Sequence, residues 1–216
     1  MSETITLDMN SPSIQHLCSR CKRMEKIISL VGPITYCPHE DDEFDFMIHE
    51  IIEQMLSIKA GQKIYYRLKE FCGGKITPDS IVDLDEEDIR ATGTSKAKAS
   101  YIKGLAESVQ SGDLVFEELR TLPDAEITKR LTSLRGIGDW TAKMYLIFVL
   151  DRQDILPFED GAFLQAYKWA YRTDDLTPAA IKKKCRKWKP YSSIAARYLY
   201  RALDTGLTKK EFHLFK

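Results

Sequence analysis

Apolar positions along this chain recur mostly at helical spacing. Between 44 and 68 they fall at Phe44, Met47, Ile48, Ile51, Ile52, Met55, Leu56 and Ile58, which predicts one long amphipathic helix. Gly73-Gly74 ends that register after Phe71. Thr77-Pro78 opens a new element, with proline suited to a first helical turn. Asp85-Glu86-Glu87-Asp88 places negative charge where a helix start favours it. Further helices are predicted from Ser95 to Ser111, Leu122 to Ser133, Asp139 to Leu150, Asp160 to Tyr171, Pro178 to Trp188 and Ser192 to Leu203. The Asp139 segment is almost wholly apolar and reads as a buried central helix. Strand-type alternation is scarce, with at most a short extended piece before Asp8. No internal repeat or low-complexity linker interrupts the pattern. The expectation is an all-α fold of about nine or ten helices with short connections.

The chain has 216 residues, 44% of them apolar, enough for one domain or two intimate lobes with a real core. Charged residues at 30%, together with a full set of aromatics, exclude a disordered tail. The longest apolar run, Met144 to Leu150, is far too short to cross a bilayer. Met1 to Pro12 carries Glu3 and Asp8 and lacks the basic start and apolar stretch of a signal peptide. Five cysteines in such a chain read as reduced thiols of a cytosolic protein.

Thirty-two basic residues balance 32 acidic ones, so bulk attraction to nucleic acid is excluded while local attraction is not. Glu40, Asp41, Asp42, Glu43, Asp45, Glu50 and Glu53 form one acidic block, and Asp79, Asp83 and Asp85 to Asp88 a second. Between Ile181 and Arg201 the sign reverses, with Lys182, Lys183, Lys184, Arg186, Lys187, Lys189, Arg197 and Arg201 and no acid. Such a run is either a solvated face or a polyanion-binding edge.

The most informative stretch is Leu131-Thr-Ser-Leu134-Arg-Gly136-Ile137-Gly138-Asp-Trp140-Thr-Ala142. Two leucines end one helix, Gly-Ile-Gly makes a turn and Ala142 lets the next helix pack close. The glycines allow positive φ and leave backbone amides uncovered. At a helix start, Gly136, Ile137 and Gly138 thereby form an anion site. A nucleic-acid phosphate fits it without base contacts, so it positions rather than specifies. The plain alternative is a tight helix–helix turn. Asp139 opposes the anion and Lys143, one turn on, partly offsets it.

Leu134 to Met144, then Arg152-Gln-Asp154-Ile-Leu-Pro157-Phe-Glu159-Asp160, then Trp188-Lys-Pro190-Tyr191-Ser-Ser-Ile-Ala195-Ala196-Arg-Tyr-Leu-Tyr200 resemble the helix-hairpin-helix DNA glycosylases. Within them the chain resembles the 3-methyladenine DNA glycosylase II branch. Glu53-Gln54-Met55-Leu56-Ser57 and Gly93-Thr-Ser95-Lys96-Ala97-Lys98 match related segments. The resemblance covers about Phe44 to Leu203 and lacks the extra N-terminal sheet domain of some members. It implies one glycosylase domain over 1–216, with one lobe from 44–150, the other from 1–43 with 151–216, the hairpin within 126–150, and an active-site cleft between the lobes.

Asp160 reads from sequence alone as an ordinary helix N-cap. The resemblance instead puts the catalytic carboxylate there, with Glu159 as the reserve candidate. Cleaving an N-glycosidic bond builds positive charge on the sugar, which a fixed carboxylate stabilises while directing water. One carboxylate suffices when the leaving base is already cationic, as N3- or N7-alkylated purines are. In lyase-competent relatives a lysine nucleophile stands where this chain has Trp140, so a water-using, monofunctional enzyme is expected. Relatives with an iron–sulfur cluster carry a cysteine set near the C-terminus, where this chain has only Cys185.

The resemblance places Trp140 and Tyr200 in a pocket that holds the extruded cationic base by stacking and cation–π attraction. Met144 replaces an aromatic of some relatives, and Tyr36, Phe44 and Tyr145 are further candidates for pocket or core. Trp188 and Tyr191 are expected to be structural. Met55 matches a segment that inserts an apolar wedge into DNA, the alternative being a core methionine on an amphipathic helix. Gln54 could read a neighbouring base, with Ser57 in the same segment. Ser95, Lys96 and Lys98 resemble a second phosphate-binding loop.

No cofactor is expected. A monovalent or divalent cation on the backbone carbonyls of Thr132, Leu134 and Ile137 is a family expectation. Cys18, Cys21, Cys37 and His39 have the ligand count for zinc but an unusual spacing. The expected partner is double-stranded DNA containing damaged bases, with no membrane role. The expected state is a monomer, cytoplasmic, at the nucleoid of a bacterium or in the nucleus of a eukaryote. The rivals are a same-fold glycosylase for hypoxanthine or uracil, and a non-enzymatic hairpin DNA-binding module.

Overall fold

A computed structural model describes residues 4–39 and 43–214. Glu3 of the N-terminal segment and Glu40, Asp41 and Asp42 of the first acidic block lie outside the described residues. The chain divides into two units, one formed by the segments up to Pro38 and from Asp151 onward, the other by His39–Leu150.

The first unit begins with β1 (Ile5–Leu7), α1 (Pro12–Arg20), α2 (Lys22–Val31) and β2 (Ile34–Tyr36). The strands pair antiparallel with Thr6 opposite Thr35. After Asp151 come α11 (Gly161–Tyr171), α12 (Pro178–Cys185), a 3-10 turn (Arg186–Trp188), α13 (Ser192–Asp204) and a second 3-10 turn (Leu207–Lys209). Ile14, Leu17, Met24, Phe163, Trp188 and Tyr198 are fully buried and weld the two sequence segments into one core. Trp188 is thus structural, as expected, and Tyr191 packs partly buried against the same core.

The second unit holds α3 (Glu43–Glu53), α4 (Ile58–Phe71), α5 (Pro78–Val82), α6 (Glu86–Ala91), α7 (Lys96–Gln110), α8 (Phe116–Leu119), α9 (Asp124–Thr132) and α10 (Asp139–Phe148). Its core includes Ile48, Ile51, Ile102, Leu131, Ala142 and Ile147, all fully buried. The short helices start where the sequence says: Thr77 caps α5 and Asp85 caps α6, each through a reciprocal capping box.

The fold is all-α, but the described residues contain thirteen α-helices rather than nine or ten. The helix expected from Phe44 onward is two, because the chain breaks at Gln54–Ser57 and Met55 takes a left-handed φ of 59°. The N-terminal region also forms two helices, with Cys21 at the joint ending one and starting the next. Strand β2 and helix α8, too short to show periodicity, are additions to the sequence reading. No helix among the described residues is long and apolar enough to cross a membrane.

Candidate active site

In the second unit the α9–α10 hairpin turns through Gly136, whose φ is +89°. A Cβ there would fall 2.2 Å from the Tyr101 ring carbons, so glycine is demanded both by backbone and by space. Gly138 departs from the expectation of positive φ. Its φ of −105° and ψ of −179° are extended backbone that any residue adopts. Its lack of a side chain has another effect: a Cβ would meet nothing within 4 Å, and no side chain caps the start of α10. The first amides of that helix therefore face an open position suited to an anion. Ile137 contributes only backbone there, because its side chain is buried. Asp139 is exposed and Lys143 half-buried.

The turn between α3 and α4 lies in the same unit. Met55 is fully exposed with its left-handed backbone, which excludes the core-methionine alternative. Such a residue stores about 1 kcal/mol or more of backbone strain. Gln54 is engaged within the fold: its Nε2 donates to the Gly136 carbonyl at 2.9 Å and to Thr141 Oγ1 at 3.2 Å. Lys98 is likewise engaged within the fold. Its Nζ donates to the carbonyls of Ile52 at 2.7 Å and Gln54 at 2.6 Å, satisfying orphan acceptors at the end of α3. Burial lowers its pKa. Ser57 and Ser95 are N-caps, Ser57 Oγ accepting from the Ala60 amide and Ser95 Oγ from the Lys98 amide. Lys96 is exposed at the first position of α7.

Several pocket candidates are buried in the core. Phe44 and Met144 are buried on the inward faces of α3 and α10, where apolar packing claims them. Tyr145 is fully buried and donates to Glu43 Oε2 at 2.6 Å, while Arg120 pairs with the other oxygen of that carboxylate. Burial raises the pKa of Glu43, opposed by these two partners. Trp140 is half-buried near the start of α10. A cavity of about 310 Å3 in this unit is lined by Lys103, Glu107, Ser108, Ser133, Leu134 and Arg135, among others, and by none of the predicted pocket aromatics.

In the first unit, Asp160 stands at the N-terminus of α11, only 9% exposed. Its Oδ1 accepts from the Phe163 amide at 2.7 Å, and its own amide donates to the Pro157 carbonyl at 3.0 Å. The sequence reading as an N-cap is therefore correct as geometry, and the cap fixes the carboxylate in one orientation. Glu159, one residue earlier, is exposed. Tyr200 is half-buried on α13 and packs against the unit's core.

Tyr36 belongs to a network rather than to an open stacking face. Its hydroxyl donates to Asp151 Oδ1 at 3.0 Å, and the Arg197 guanidinium lies 3.8 Å from its ring centroid. Arg197, 8% exposed, also donates to Asp151 Oδ1 at 3.1 Å. Burial raises the pKa of the Tyr36 hydroxyl and lowers that of Arg197. Sequence reasoning placed Arg197 in a basic run and missed this role. The available signal was a lone arginine inside the otherwise apolar Ile194–Leu199 segment, which calls for an acidic partner. The rest of the basic run, Lys182 to Lys184, Arg186, Lys187, Lys189 and Arg201, is exposed.

Among the described residues no group of three or more His, Cys, Asp or Glu could hold a metal ion. Cys18 is half-buried on α1, Cys21 is buried, and Cys37 and His39 are exposed.

The second unit thus carries a hairpin with open amides and an exposed apolar residue on an adjoining turn, and the first unit a helix-capping aspartate twelve residues past the end of α10. The chain belongs to the HhH-GPD superfamily of base excision DNA repair proteins, whose family model matches residues 48–190. It is 32% identical over 194 residues to DNA-3-methyladenine glycosylase 1 of Schizosaccharomyces pombe, covering 86% of this chain and 84% of that protein. It is similar in structure to a DNA-3-methyladenine glycosidase from Bacillus halodurans, with TM-score 0.83, 30% identity and 97% of each chain covered. It is also similar to the S. pombe 3-methyladenine DNA glycosylase in complex with abasic DNA, with TM-score 0.79, 30% identity, and 90% of this chain and 97% of that one covered.

Proposed function

We propose that this protein is a monofunctional DNA glycosylase that hydrolyses the N-glycosidic bond of alkylated purines, of the 3-methyladenine type, in duplex DNA. The observation that carries the reading is Asp160, a buried carboxylate held in one orientation by the Phe163 amide in a member of a base-excision family. As the bond to the base breaks, its electron pair leaves with the purine and cancels the charge that alkylation put there. Positive charge then rises on the sugar, where the Asp160 carboxylate stabilises it. Water adds to the anomeric carbon and gives up a proton, with the same carboxylate as acceptor. The products are the free base and an abasic sugar. Position 140 offers an indole and no amine, so no Schiff base with the sugar is expected there.

Trp140 and Tyr200 are the residues we assign to stacking on the cationic base, each contact contributing about 0.5–2 kcal/mol. The hairpin amides grip a backbone phosphate, with Lys96 and Lys143 adding charge. Met55 enters the gap left by the extruded base. A cation at the hairpin is compatible with the carbonyls of Thr132, Leu134 and Ile137. Leu134 already accepts from the Ile137 amide at 3.2 Å and retains a second lone pair. Such a cation would tie the turn to a phosphate and takes no part in the chemistry. The protein acts as a monomer in the compartment that holds the genome.

The test is release of free methylpurine from methylated duplex DNA by the wild type and by Asp160→Asn, without and then with alkali. Release by the wild type alone, with strand breaks only after alkali, supports the reading. Equal activity on hypoxanthine or uracil would favour a different lesion range. Binding by both proteins without release by either would make the protein a DNA-binding module.

A further inference from the structure

We infer that Lys98 and Gln54 are positioning residues for base extrusion, holding the α3–α4 turn against the hairpin so that Met55 is projected before DNA arrives. The inference rests on the glycosylase reading above and deepens it.

An apolar side chain with full exposure and a left-handed backbone is what a free turn would relax away. Met55 would lie down on the surface, and its residue would return to a commoner φ. Here the residues around it are fixed instead. The Lys98 ammonium, reaching across from α7, holds the carbonyls of Ile52 and Gln54, which flank Met55 closely on its N-terminal side. The Gln54 side chain then runs to the Gly136 carbonyl and Thr141 Oγ1, the turn and first helical stretch of the hairpin. On the C-terminal side Ser57 closes the start of α4. The residue these contacts surround, Met55, projects into open space.

The consequence is mechanical. Gly136 is itself immobilised, since the Tyr101 ring fills the space beside it. Gln54 therefore couples the wedge to a rigid point of the phosphate grip. Once a phosphate sits on the α10 amides, the place where Met55 meets the duplex is set. Lys98 acts through Met55 and touches neither base nor sugar in this role. A plain helix C-cap would satisfy the end of α3 equally well, but it would not need the Gln54 carbonyl, which lies beyond that helix.

The experiment is a double-mutant cycle on the full chain, with Lys98→Met, Met55→Ala and the pair. It is read by single-turnover base release and by fluorescence of 2-aminopurine beside the lesion, which reports unstacking. Gln54→Met and Lys98→Arg are run alongside, with thermal unfolding and affinity for undamaged duplex as controls. The expected result is that Lys98→Met slows release and reduces the unstacking signal by about tenfold, with affinity changed by less than about threefold. In the Met55→Ala background the same substitution should add little. Gln54→Met should reproduce the loss and Lys98→Arg should restore part of it. Equal fold losses in both backgrounds would overturn the inference, because Lys98 would then act on stability and not through the wedge. Normal release and unstacking by Lys98→Met would overturn it while leaving the glycosylase reading intact. If the wild type unstacks DNA but releases no base, the glycosylase reading fails, and the unstacking signal of the same variants still decides the positioning role.

Discussion

Gly136 and Tyr101 share one space: the ring of Tyr101 occupies the position where any other residue at 136 would place its Cβ, 2.2 Å away. The aromatic of α7 is thereby locked against the turn of the hairpin, and the φ of +89° is enforced from outside as well as within.

Gly136→Ala should therefore destabilise the protein by about 3 kcal/mol, combining overpacking with a disfavoured φ. Urea unfolding measures it. In a Tyr101→Ala background the Gly136→Ala change should cost less, keeping the φ part and a residual contact with the Cβ of residue 101, 2.6 Å from the new methyl; an equal cost in both backgrounds would contradict the assignment.

Gly138→Ala should behave in the opposite manner. With extended backbone and nothing within 4 Å, the fold should lose only about 0.5–1 kcal/mol, alanine being a poorer N-cap than glycine. Affinity for duplex DNA should nevertheless drop by about tenfold, because the methyl group stands where the phosphate approaches the α10 amides. Unchanged affinity in a fluorescence anisotropy titration would remove those amides from the DNA contact.

Asp160 has two duties that substitution can separate. Asn at 160 can still accept from the Phe163 amide and should keep thermal stability near that of the wild type, while Ala should cost about 1 kcal/mol as a lost cap. Both should lose base release. An Asp160→Asn protein as destabilised as Asp160→Ala would mean that the cap depends on the charge.

The hairpin and Asp160 were legible in the sequence because their signals are local: Gly-Ile-Gly between leucines and an apolar helix, and an acid at a helix start. The break at Gln54–Ser57 was not, since Met55, Leu56 and Ile58 continue the apolar rhythm of Phe44 to Ile52 and only the backbone reveals the turn. The contacts of Gln54 and Lys98 were not legible for a different reason. Their partners are backbone carbonyls 82 and 46 residues away, and carbonyls leave no mark in a sequence. Phe44 and Met144 are buried, and apolar character suits a core and a base pocket equally, so their sequence positions do not separate the two readings.

His49 on α3 has a raised pKa, chiefly through its hydrogen bond to Glu50, helped by Glu53 and Asp45 and opposed by burial. The folded protein thus favours the charged imidazole. Its contribution to stability is complete below the unfolded value near 6.5 and is lost as pH rises through the higher folded one. Denaturation at pH ~6 and pH ~9 should show the wild type's advantage over His49→Gln shrinking at the higher pH. An equal advantage at both would show that the charge contributes nothing.

Arg197→Met should cost about 2 kcal/mol, because it breaks an ion pair whose arginine is buried and whose acid is half-buried, and leaves Asp151 to Tyr36 and Gln153 alone. Pairing it with Asp151→Asn should cost less than the sum of the two single changes. Additive losses would mean that the two residues are energetically independent.

The chain enters and leaves the His39–Leu150 unit at neighbouring points, for the His39 amide donates to the Phe148 carbonyl at 2.9 Å. In the other unit the cut ends are likewise near, with the Tyr36 hydroxyl on Asp151. Each unit thus closes on itself around the crossing. A segment mounted this way can be exchanged or lengthened in evolution without rethreading its host. The hairpin and Met55 travel inside the cassette, while Asp160 stays with the host. Two lineages of change, one in how DNA is gripped and one in how the bond is cut, can then proceed on separate stretches of one gene.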